Sequence, residues 1–536
     1  MSTAVAPRPR LRLRTPAVPE VSPRRRRVLA VLAFGLLVAV SAVLRSRALG
    51  TSFWIDEGLS VGIASHPFAS IPGVLAQDGS PPLYYMMLNV WMSVFGTSES
   101  ATHSLSLIAA LLCIPVGFWS ARSIFGVRAG WVAAFLCALN PFLTAYGQET
   151  RMYALLGLEG LIASTLLVHV FVLRQRRWQL PALPITLAAL LYTHGWGIFF
   201  DAGAVVVVLY LIFRVAPEEE RRELIRDGLI AFGGAAILFL PWVPTVLQQV
   251  GKTAAPWAKS PRFGAPIQIS RGLMGGDRSA IVLLLVGGAG IAGILGRRIL
   301  TGPRERPAAL FLLASAVATL AIAWLVSQIQ PAWTTRYFGV VLGALTVLAA
   351  AGIARTGRLG LCALLAITFF WGNPKQFAGY QKSDLKDIAV DLQRANAMKP
   401  GDIVISAQPE QVPALAYYFG PEARYASPDR RGTWKDPYVM DWREALKRME
   451  RTPSGPAVAD LVASLRPGQR VLLVRPFTDG TDNWEAPWTR LVRRRSAQWG
   501  QLLASDPSLR KVGTAPGIYR GATTVGNSAV LYRKLG

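Results

Sequence analysis

The chain has 536 residues, of which 52% are hydrophobic and only 16% are charged. Soluble proteins of this length are far more polar, so the composition predicts a mainly α-helical integral membrane protein with several spans. The formal net charge of +26 would suit a nucleic-acid-binding protein. However, the Arg residues lie in clusters between apolar segments, as in the cytoplasmic loops of membrane proteins, so we expect no nucleic-acid partner.

Residues 1–27 are rich in Pro and Arg and end in four consecutive Arg residues, Arg24 to Arg27. This composition predicts a disordered basic arm that stays in the cytoplasm and orients the first span. A cleaved signal peptide is the competing interpretation, but no small-residue cleavage site follows the apolar segment. The first span, near 28–49, therefore enters from the cytoplasm, and the residues after it face outward.

Later Arg clusters are separated by pairs of apolar segments, which predicts about eleven spans in residues 28–372. The predicted spans lie near 28–49, 100–121, 128–147, 151–172, 180–193, 196–214, 226–250, 279–296, 307–328, 336–354 and 358–372. The apolar segment 82–96 is short and aromatic and follows two Pro residues. If it spanned, every later Arg cluster would lie outside. We therefore interpret it as an interfacial or re-entrant helix in an outer loop at 50–99.

Residues 373–536 have mixed charge, short β-like runs at 402–405 and 471–474, and an amphipathic helical pattern at 383–395. Because an odd number of spans precedes them, we expect a C-terminal extracytoplasmic α/β domain with a Rossmann-like sheet. The glycine pattern at 288–293 lies within an apolar span, where close helix packing explains it better than dinucleotide binding. The three Cys residues lie in apolar segments and indicate neither disulfides nor a metal site.

An adjacent carboxylate pair, Asp56 and Glu57, follows the first span behind Trp54. A solvated turn is one explanation, but carboxylates at a membrane exit are costly and more often functional. The topology places Glu149 on the same outer face. It also places there the candidate substrate-binding residues Trp54, Asp78, Tyr84, Tyr85, Arg151, His194, Trp196, Lys252, Arg336 and Tyr337. Taken singly, these residues also suit ion pairs, a structural histidine and the aromatic belt of membrane proteins.

Three motifs carry a family resemblance: Trp54-Ile55-Asp56-Glu57, Ser80-Pro81-Pro82-Leu83-Tyr84-Tyr85 and Gln148-Glu149-Thr150-Arg151-Met152-Tyr153. They resemble GT-C glycosyltransferases of the bacterial family-39-like branch, which is related to protein O-mannosyltransferases and lipid A aminoarabinose transferases. The resemblance is strong over 28–215, looser to 372 and weak beyond. This chain has Gly79-Ser80 where many relatives carry a His before the Pro pair.

The resemblance implies a GT-C fold in the bacterial inner membrane. It also implies transfer of a sugar, with inversion, from a polyprenyl-phosphate-linked donor at the outer face. The acceptor would be a hydroxyl of a lipid, a glycan or a protein. A transporter or flippase of lipid-linked sugars would need ionisable residues near mid-span and inverted repeats, and the sequence shows neither. A ligase of lipid-linked oligosaccharides is close in chemistry and stays an alternative.

A hydroxyl acceptor needs a general base, and the resemblance assigns this role to Asp56, with Glu57 as its neighbour or substitute. Glu149 would orient the acceptor, hold Asp56 in place or help to bind a divalent cation. The leaving lipid phosphate needs positive charge, for which Arg336 and Arg151 are the leading candidates, followed by Lys252 and His194. Aromatic rings suited to stacking on sugars are those of Trp54, Tyr84 and Trp196. Asp56, Glu149 and His194 could hold a cation, but their spacing specifies no geometry, so no cofactor is required.

Overall fold

The structure is a computed structural model that describes residues 22–252, 258–265, 272–296, 302–372, 382–477, 486–516 and 526–536. Most of the predicted basic arm, 1–21, lies outside the described residues. Helices dominate the described chain, and a small sheet lies near its C-terminal end.

Each of the eleven predicted spans coincides with a helical segment. Among the described residues, eight helices are long and apolar enough to cross a bilayer: α1 (Pro23–Ser46), α5 (Glu99–Phe125), α8 (Tyr153–Phe171), α10 (Trp196–Val215), α11 (Glu218–Lys252), α12 (Asp277–Leu295), α13 (Glu305–Ile329) and α14 (Thr335–Arg355). Single π-helical turns interrupt α11 at Leu229–Gly233 and α12 at Leu283–Gly287, and a third, Leu211–Val215, forms the end of α10. The remaining three predicted spans are the shorter apolar helices α6 (Val127–Leu139), α9 (Gln179–Thr193) and α15 (Arg358–Trp371).

The predicted outer loop contains three helices, α2 (Ile55–Ala64), α3 (Ile71–Asp78) and α4 (Leu83–Phe95). The chain turns by 117° between α2 and the segment Phe68–Asp78. Helix α4 corresponds to the predicted interfacial segment and packs against α2 and α5. The outer loop is therefore a folded unit whose helices are anchored on the spanning bundle.

The predicted span at 128–147 is not one helix. Helix α6 ends at Leu139, and a new helix, α7 (Pro141–Tyr146), starts two residues later. Pro141 has no backbone N–H and cannot continue a helix, whereas the Asn140 side chain accepts a hydrogen bond from the backbone N–H of Leu143 at 3.0 Å. The fully buried Arg45 of α1 donates to the freed backbone oxygen of Cys137 at 2.7 Å.

Polar contacts sort the helix ends into two groups. At one end, Arg174 pairs with Glu220 at 2.6 Å, Arg355 pairs with Glu305 at 2.5 Å, and Arg304 donates to the backbone oxygen of Leu173 at 3.0 Å. The carboxylate stretch after α1 lies at the opposite end, because Asp56 contacts residues that precede α8 and open α14. The Arg clusters and the carboxylates therefore face opposite ends of the bundle.

The C-terminal region forms a five-stranded sheet in the order β2-β1-β3-β5-β4. Its strands are β1 (Ile403–Ser406), β2 (Arg424–Ala426), β3 (Arg470–Pro476), β4 (Leu509–Pro516) and β5 (Asn527–Lys534). Strand β1 pairs in parallel with β2 and β3, but β5 pairs antiparallel with β3 and β4. The prediction of a Rossmann-like sheet was therefore wrong, because the last two strands form an antiparallel pair.

Helices cover both faces of this sheet. They are α16 (Leu385–Arg394), α17 (Val412–Phe419), α18 (Ala445–Arg451), α19 (Ser454–Ala463) and α20 (Pro487–Ser505). Successive side chains of β1 point to opposite faces of the sheet. Val404 therefore packs in a core with α16 and α17, whereas Ile403 and Ile405 pack in a core with α19 and the end of α20. Because β1 and β3 are buried on both faces, these two strands are short apolar runs in the sequence.

The C-terminal domain sits directly on α2. A Cβ atom added at Gly58 would lie 2.5 Å from Cβ of Ala414, and one at Gly62 would lie 2.2 Å from the backbone oxygen of Tyr438. The Tyr418 hydroxyl also accepts a hydrogen bond from the backbone N–H of Phe53 at 2.7 Å. Only glycine permits this backbone approach, so α2 and the domain are fixed relative to each other.

Candidate active site

A cavity of about 610 Å³ lies where the outer loop, the ends of the spanning helices and the C-terminal domain meet. Each of the three parts contributes polar or aromatic side chains. The outer loop supplies Trp54, Asp56 and Asp78, the helix ends supply Arg151, His194, Trp196, Arg336 and Tyr337, and the domain supplies Glu410, Trp442, Trp488 and Thr489. Eight of the predicted site residues therefore share one cavity.

Asp56 lies in the first turn of α2, where the helix dipole favours a carboxylate. Its Oδ2 atom accepts a hydrogen bond from Nη1 of Arg336 at 2.7 Å, and Nε of Arg151 lies 3.9 Å from the same oxygen. The side chain is 16% exposed. Both cations thus approach one carboxylate oxygen at the wall of the cavity.

The two arginines are held by neighbouring aromatic and hydroxyl groups. Arg151 donates from Nη1 to Ser60 at 3.0 Å and to the Tyr85 hydroxyl at 3.2 Å. The Arg336 guanidinium lies 5.7 Å from the ring centroids of Trp54, Tyr153 and Tyr337. Both arginines line the cavity. Their guanidinium groups are therefore placed to meet an anionic ligand there.

Glu57 turns away from the cavity. It is completely buried, and its Oε1 atom accepts hydrogen bonds from His103 at 2.6 Å, Lys382 at 2.7 Å and the backbone N–H of Thr150 at 2.9 Å. Burial alone would raise the pKa of Glu57, but the Lys382 ammonium and His103 hold it below its usual value. A substitute base has to reach substrate, so the predicted catalytic role of Glu57 does not fit this position.

Glu149 lies close to the carboxylates of α2 but does not line the cavity. Its Oε2 atom is buried without a hydrogen-bond partner among the described residues. Burial raises the pKa of Glu149 to about 7, with the Lys382 ammonium opposing this and repulsion from Glu57 and Asp56 adding to it. The side chain is therefore suited to act on Asp56 through charge.

The structure separates the remaining predicted residues into two groups. Asp78, Trp54, Trp196, His194 and Tyr337 line the cavity, and the ring centroids of His194 and Tyr337 lie 4.5 Å apart.

Tyr84, Tyr85 and Lys252 lie elsewhere. Tyr84 and Tyr85 are buried, Tyr84 hydrogen-bonds Ser106 at 2.9 Å, and stacking of Tyr84 on a sugar does not fit this burial. Lys252 is exposed and does not line the cavity, so binding of substrate by its side chain does not fit its position either. The backbone oxygen of Lys252 instead accepts a hydrogen bond from the backbone N–H of Glu444, in the C-terminal domain, at 3.0 Å.

Within the described ranges, no three His, Cys, Asp or Glu side chains are grouped closely enough to hold a metal ion. The predicted set of Asp56, Glu149 and His194 is thus not assembled as a ligand cluster. Nδ1 of His194 instead accepts a hydrogen bond from the backbone N–H of Trp196 at 3.1 Å. The alternative of a divalent cation at these three residues does not fit the geometry.

Sequence reasoning missed His103, Lys382 and Glu410. His103 was hidden inside a predicted span, and Lys382 and Glu410 lie in the region where the family resemblance is weak. A signal was present for His103, because a lone histidine in an apolar helix needs a polar partner once it is buried. No sequence motif next to Lys382 or Glu410 indicates that either residue lies at the active site.

Comparisons with known proteins agree with this architecture. Residues 79–247 match the family model described as dolichyl-phosphate-mannose-protein mannosyltransferase. ArnT from Cupriavidus metallidurans in the apo state has a TM-score of 0.63 and 17% identity over 94% of this chain and 98% of that chain. The same protein bound to undecaprenyl phosphate has a TM-score of 0.64 and 16% identity over the same shares. The chain has the GT-C fold.

The archaeal oligosaccharyltransferase AglB from Archaeoglobus fulgidus, in complex with an inhibitory peptide and a dolichol-phosphate, shares this GT-C fold more distantly. Its TM-score is 0.53, with 11% identity over 94% of this chain and 74% of that chain. No curated protein matches the sequence. The predicted resemblance to GT-C enzymes is thus confirmed at the level of the fold, and the match to the mannosyltransferase family model covers residues 79–247.

One side of the cavity is apolar. Ile198, Val250 and Val326 line it from α10, α11 and α13, and they are 41%, 58% and 39% exposed. The cavity therefore has a polar wall and an apolar wall, and spanning helices contribute to the apolar wall.

Proposed function

We propose that this protein is a glycosyltransferase that moves a sugar from a polyprenyl-phosphate donor to a hydroxyl acceptor. The observation that carries the proposal is the position of Asp56. Its carboxylate lies beside two arginines, in a cavity with apolar lining from the spanning helices α10, α11 and α13. A base, cations for a phosphate and an apolar surface for a lipid tail are the three elements that this transfer needs.

The donor would enter between α10, α11 and α13, with its tail remaining in the hydrocarbon region. Its phosphate would reach Arg336 and Arg151, whose guanidinium groups match phosphate oxygens in geometry and charge. Because Arg336 is paired with Asp56 in this structure, an incoming phosphate competes for that guanidinium. Donor binding would then release the carboxylate to act as a base.

In the transfer step, Asp56 accepts the proton of the acceptor hydroxyl. The oxygen of that hydroxyl attacks the anomeric carbon of the donor sugar. The bond from that carbon to the phosphate oxygen breaks, and the lipid phosphate leaves with the electron pair. Arg336 and Arg151 stabilise the negative charge that develops on this leaving group. A single displacement of this kind inverts the anomeric configuration.

We place the cavity and the C-terminal domain outside the bacterial inner membrane. The Arg-rich end of the bundle supports this orientation, because cytoplasmic loops carry the excess of Lys and Arg. The acceptor would be a lipid, a glycan or a protein that presents its hydroxyl at this outer face.

The test is transfer of radiolabel from undecaprenyl-phosphate-linked mannose, glucose, galactose and arabinofuranose to endogenous acceptors in membranes. Wild type should incorporate label from one of these donors, and Asp56→Asn should lower the rate at least about 100-fold, as expected for removal of a general base. Asp460→Asn is the control, because it alters only a surface ion pair with Arg431 at 2.6 Å.

Equal rates for wild type and Asp56→Asn would remove Asp56 from the chemistry. Incorporation only from an undecaprenyl-linked oligosaccharide would favour the ligase alternative. Movement of donor across the bilayer without transfer would favour the flippase alternative.

A further inference from the structure

Glu410 is a buried carboxylate that the proposed transfer step does not use. It belongs to the 3-10 turn Pro409–Gln411 of the C-terminal domain, is 7% exposed and lines the cavity. Its Oε1 atom accepts a hydrogen bond from Nε1 of Trp488 at 2.9 Å. In the described structure its Oε2 atom is buried without a hydrogen-bond partner. Such an oxygen costs free energy unless a ligand supplies a donor.

The position of Glu410 is fixed by the contact between the domain and the outer loop. Its turn leads into α17, and Ala414 of that helix touches Gly58 of α2, two residues after Asp56. Burial raises the pKa of Glu410 to about 7, and the carboxylates of Asp429 and Asp56 contribute to the rise. Glu410 and Asp56 line the same cavity, one from the C-terminal domain and the other from the outer loop.

A structural role alone does not explain the carboxylate. The contact with Trp488 needs one acceptor oxygen, which a glutamine would supply equally well. The second oxygen is buried at the cavity wall without a hydrogen-bond donor among the described residues. This arrangement is expected of a group that accepts hydrogen bonds from a ligand.

The charged side chains of the cavity would also bind two different parts of a ligand. Arg151 and Arg336 form a cationic wall that suits a phosphate. Glu410 repels phosphate but accepts hydrogen bonds from hydroxyl groups, which a sugar presents in number. The neighbouring Trp442 and Trp488 rings, 5.2 Å apart, provide an apolar surface next to this carboxylate. A lipid phosphate on the arginines would carry its sugar into the space between the two walls.

We propose that Glu410 binds a hydroxyl group of the donor's sugar, so that the C-terminal domain takes part in selecting the sugar that is transferred. The inference rests on the proposed function for the identity of the donor. It assigns to the domain a recognition role in addition to covering the cavity.

The experiment measures binding without transfer. Purified full-length protein in lipid nanodiscs is titrated with undecaprenyl phosphate and with undecaprenyl-phosphate-linked mannose, glucose, galactose and arabinofuranose. Wild type should bind at least one glycosylated lipid more tightly than undecaprenyl phosphate. Glu410→Gln should weaken that binding about tenfold and leave undecaprenyl phosphate unchanged, since a hydrogen bond to a charged group is lost.

Glu422→Gln is the matched control, because Glu422 is an exposed glutamate of the same domain. Equal weakening of all the lipids by Glu410→Gln, or of none, would overturn the proposal. So would a wild type that binds no glycosylated lipid more tightly than undecaprenyl phosphate. If donor binding is unchanged and the KM for acceptor rises, Glu410 contacts the acceptor and the proposal is wrong.

A second variant keeps the test decisive if Glu410→Gln does not fold. Trp488→Phe removes the hydrogen bond that positions Glu410 and should produce the same selective loss for glycosylated lipids. Failure of the proposed function would be seen in a different measurement. In that case Asp56→Asn would leave the rate of label transfer unchanged, independently of how Glu410→Gln changes lipid binding.

Discussion

At the scale of single residues, the two adjacent carboxylates of α2 have different environments. Asp56 faces the cavity and shares one oxygen with Arg336 and Arg151, whereas Glu57 is buried under His103, Lys382 and Thr150. Successive residues of a helix point about 100° apart, so the same turn can supply both a reactive and a structural carboxylate.

Replacement of Glu57 by Gln should destabilise the protein strongly. The variant leaves the partly buried Lys382 ammonium beside His103 without its counter-charge, and breaking a buried pair costs at most about 3–5 kcal/mol. The thermal unfolding midpoint in detergent should fall well below that of wild type. Lys382→Met combined with Glu57→Gln should recover part of the loss. An unchanged midpoint with abolished transfer would instead indicate that Glu57 takes part in the chemistry.

Glu149 should make stability depend on pH. Its pKa is raised to about 7 in the folded protein, so the folded state binds a proton more tightly than the unfolded chain. The stability that this group contributes is therefore present at low pH and lost as the pH rises through about 7. Glu149→Gln resembles the protonated form, so it should raise the unfolding midpoint at pH 8 and change it little at pH 5.

The control for this comparison is Glu422→Gln, whose effect should be the same at both pH values because Glu422 is exposed. A midpoint difference between Glu149→Gln and wild type that does not vary with pH would contradict the assigned environment.

At the scale of elements, the positions of the helical segments could be predicted and their interruptions could not. Apolar length and Arg clusters located eleven helical segments, because both follow from transfer of side chains into a bilayer. Of these, eight among the described residues are long and apolar enough to cross a bilayer. The break at Asn140–Pro141 was missed, although Asn followed by Pro is a known helix-start signal. The antiparallel pair β4 and β5 was also missed, because the order of strands depends on contacts between residues far apart in the chain.

The contact between α2 and the C-terminal domain gives an element-scale prediction. Gly58→Ala places a methyl group 2.5 Å from Cβ of Ala414 and should destabilise the protein by about 1–3 kcal/mol, as overpacking does. Gly73→Ala is the matched control, since nothing lies within 4 Å of its added Cβ. Unfolding midpoints should fall for the first variant and stay level or rise for the second. Equal midpoints would mean that the domain is not held against α2.

At the scale of the whole molecule, the cavity needs all three parts of the chain. The sequence indicated the contributions of the outer loop and the helix ends, because their carboxylates, arginines and aromatics carry the family resemblance. It did not indicate Glu410, Trp442 or Trp488, which lie where the resemblance is weak and reach the cavity through domain packing. Their position in the cavity could therefore be recognised only from the three-dimensional structure.

The orientation in the membrane can be tested with single cysteines in intact cells. Asp460→Cys on the C-terminal domain should react with a membrane-impermeant maleimide from outside, because Asp460 is 43% exposed. Glu223→Cys at the Arg-rich end, 56% exposed, should react only after permeabilisation. The opposite pattern would place the cavity in the cytoplasm. Wild type supplies the background from its three native cysteines.

The buried Arg45 also constrains how the protein is made. Its guanidinium donates to the backbone oxygens of Ala110 in α5 and Cys137 in α6, which are synthesised 65 and 92 positions later. Until these helices arrive, the charge must remain at the membrane surface or in contact with the translocation machinery, because hydrocarbon offers it no partner. The environment of the first helix is therefore completed only when α5 and α6 have entered the membrane, and a fragment ending before Val127 would keep the Ala110 oxygen but lack the Cys137 oxygen.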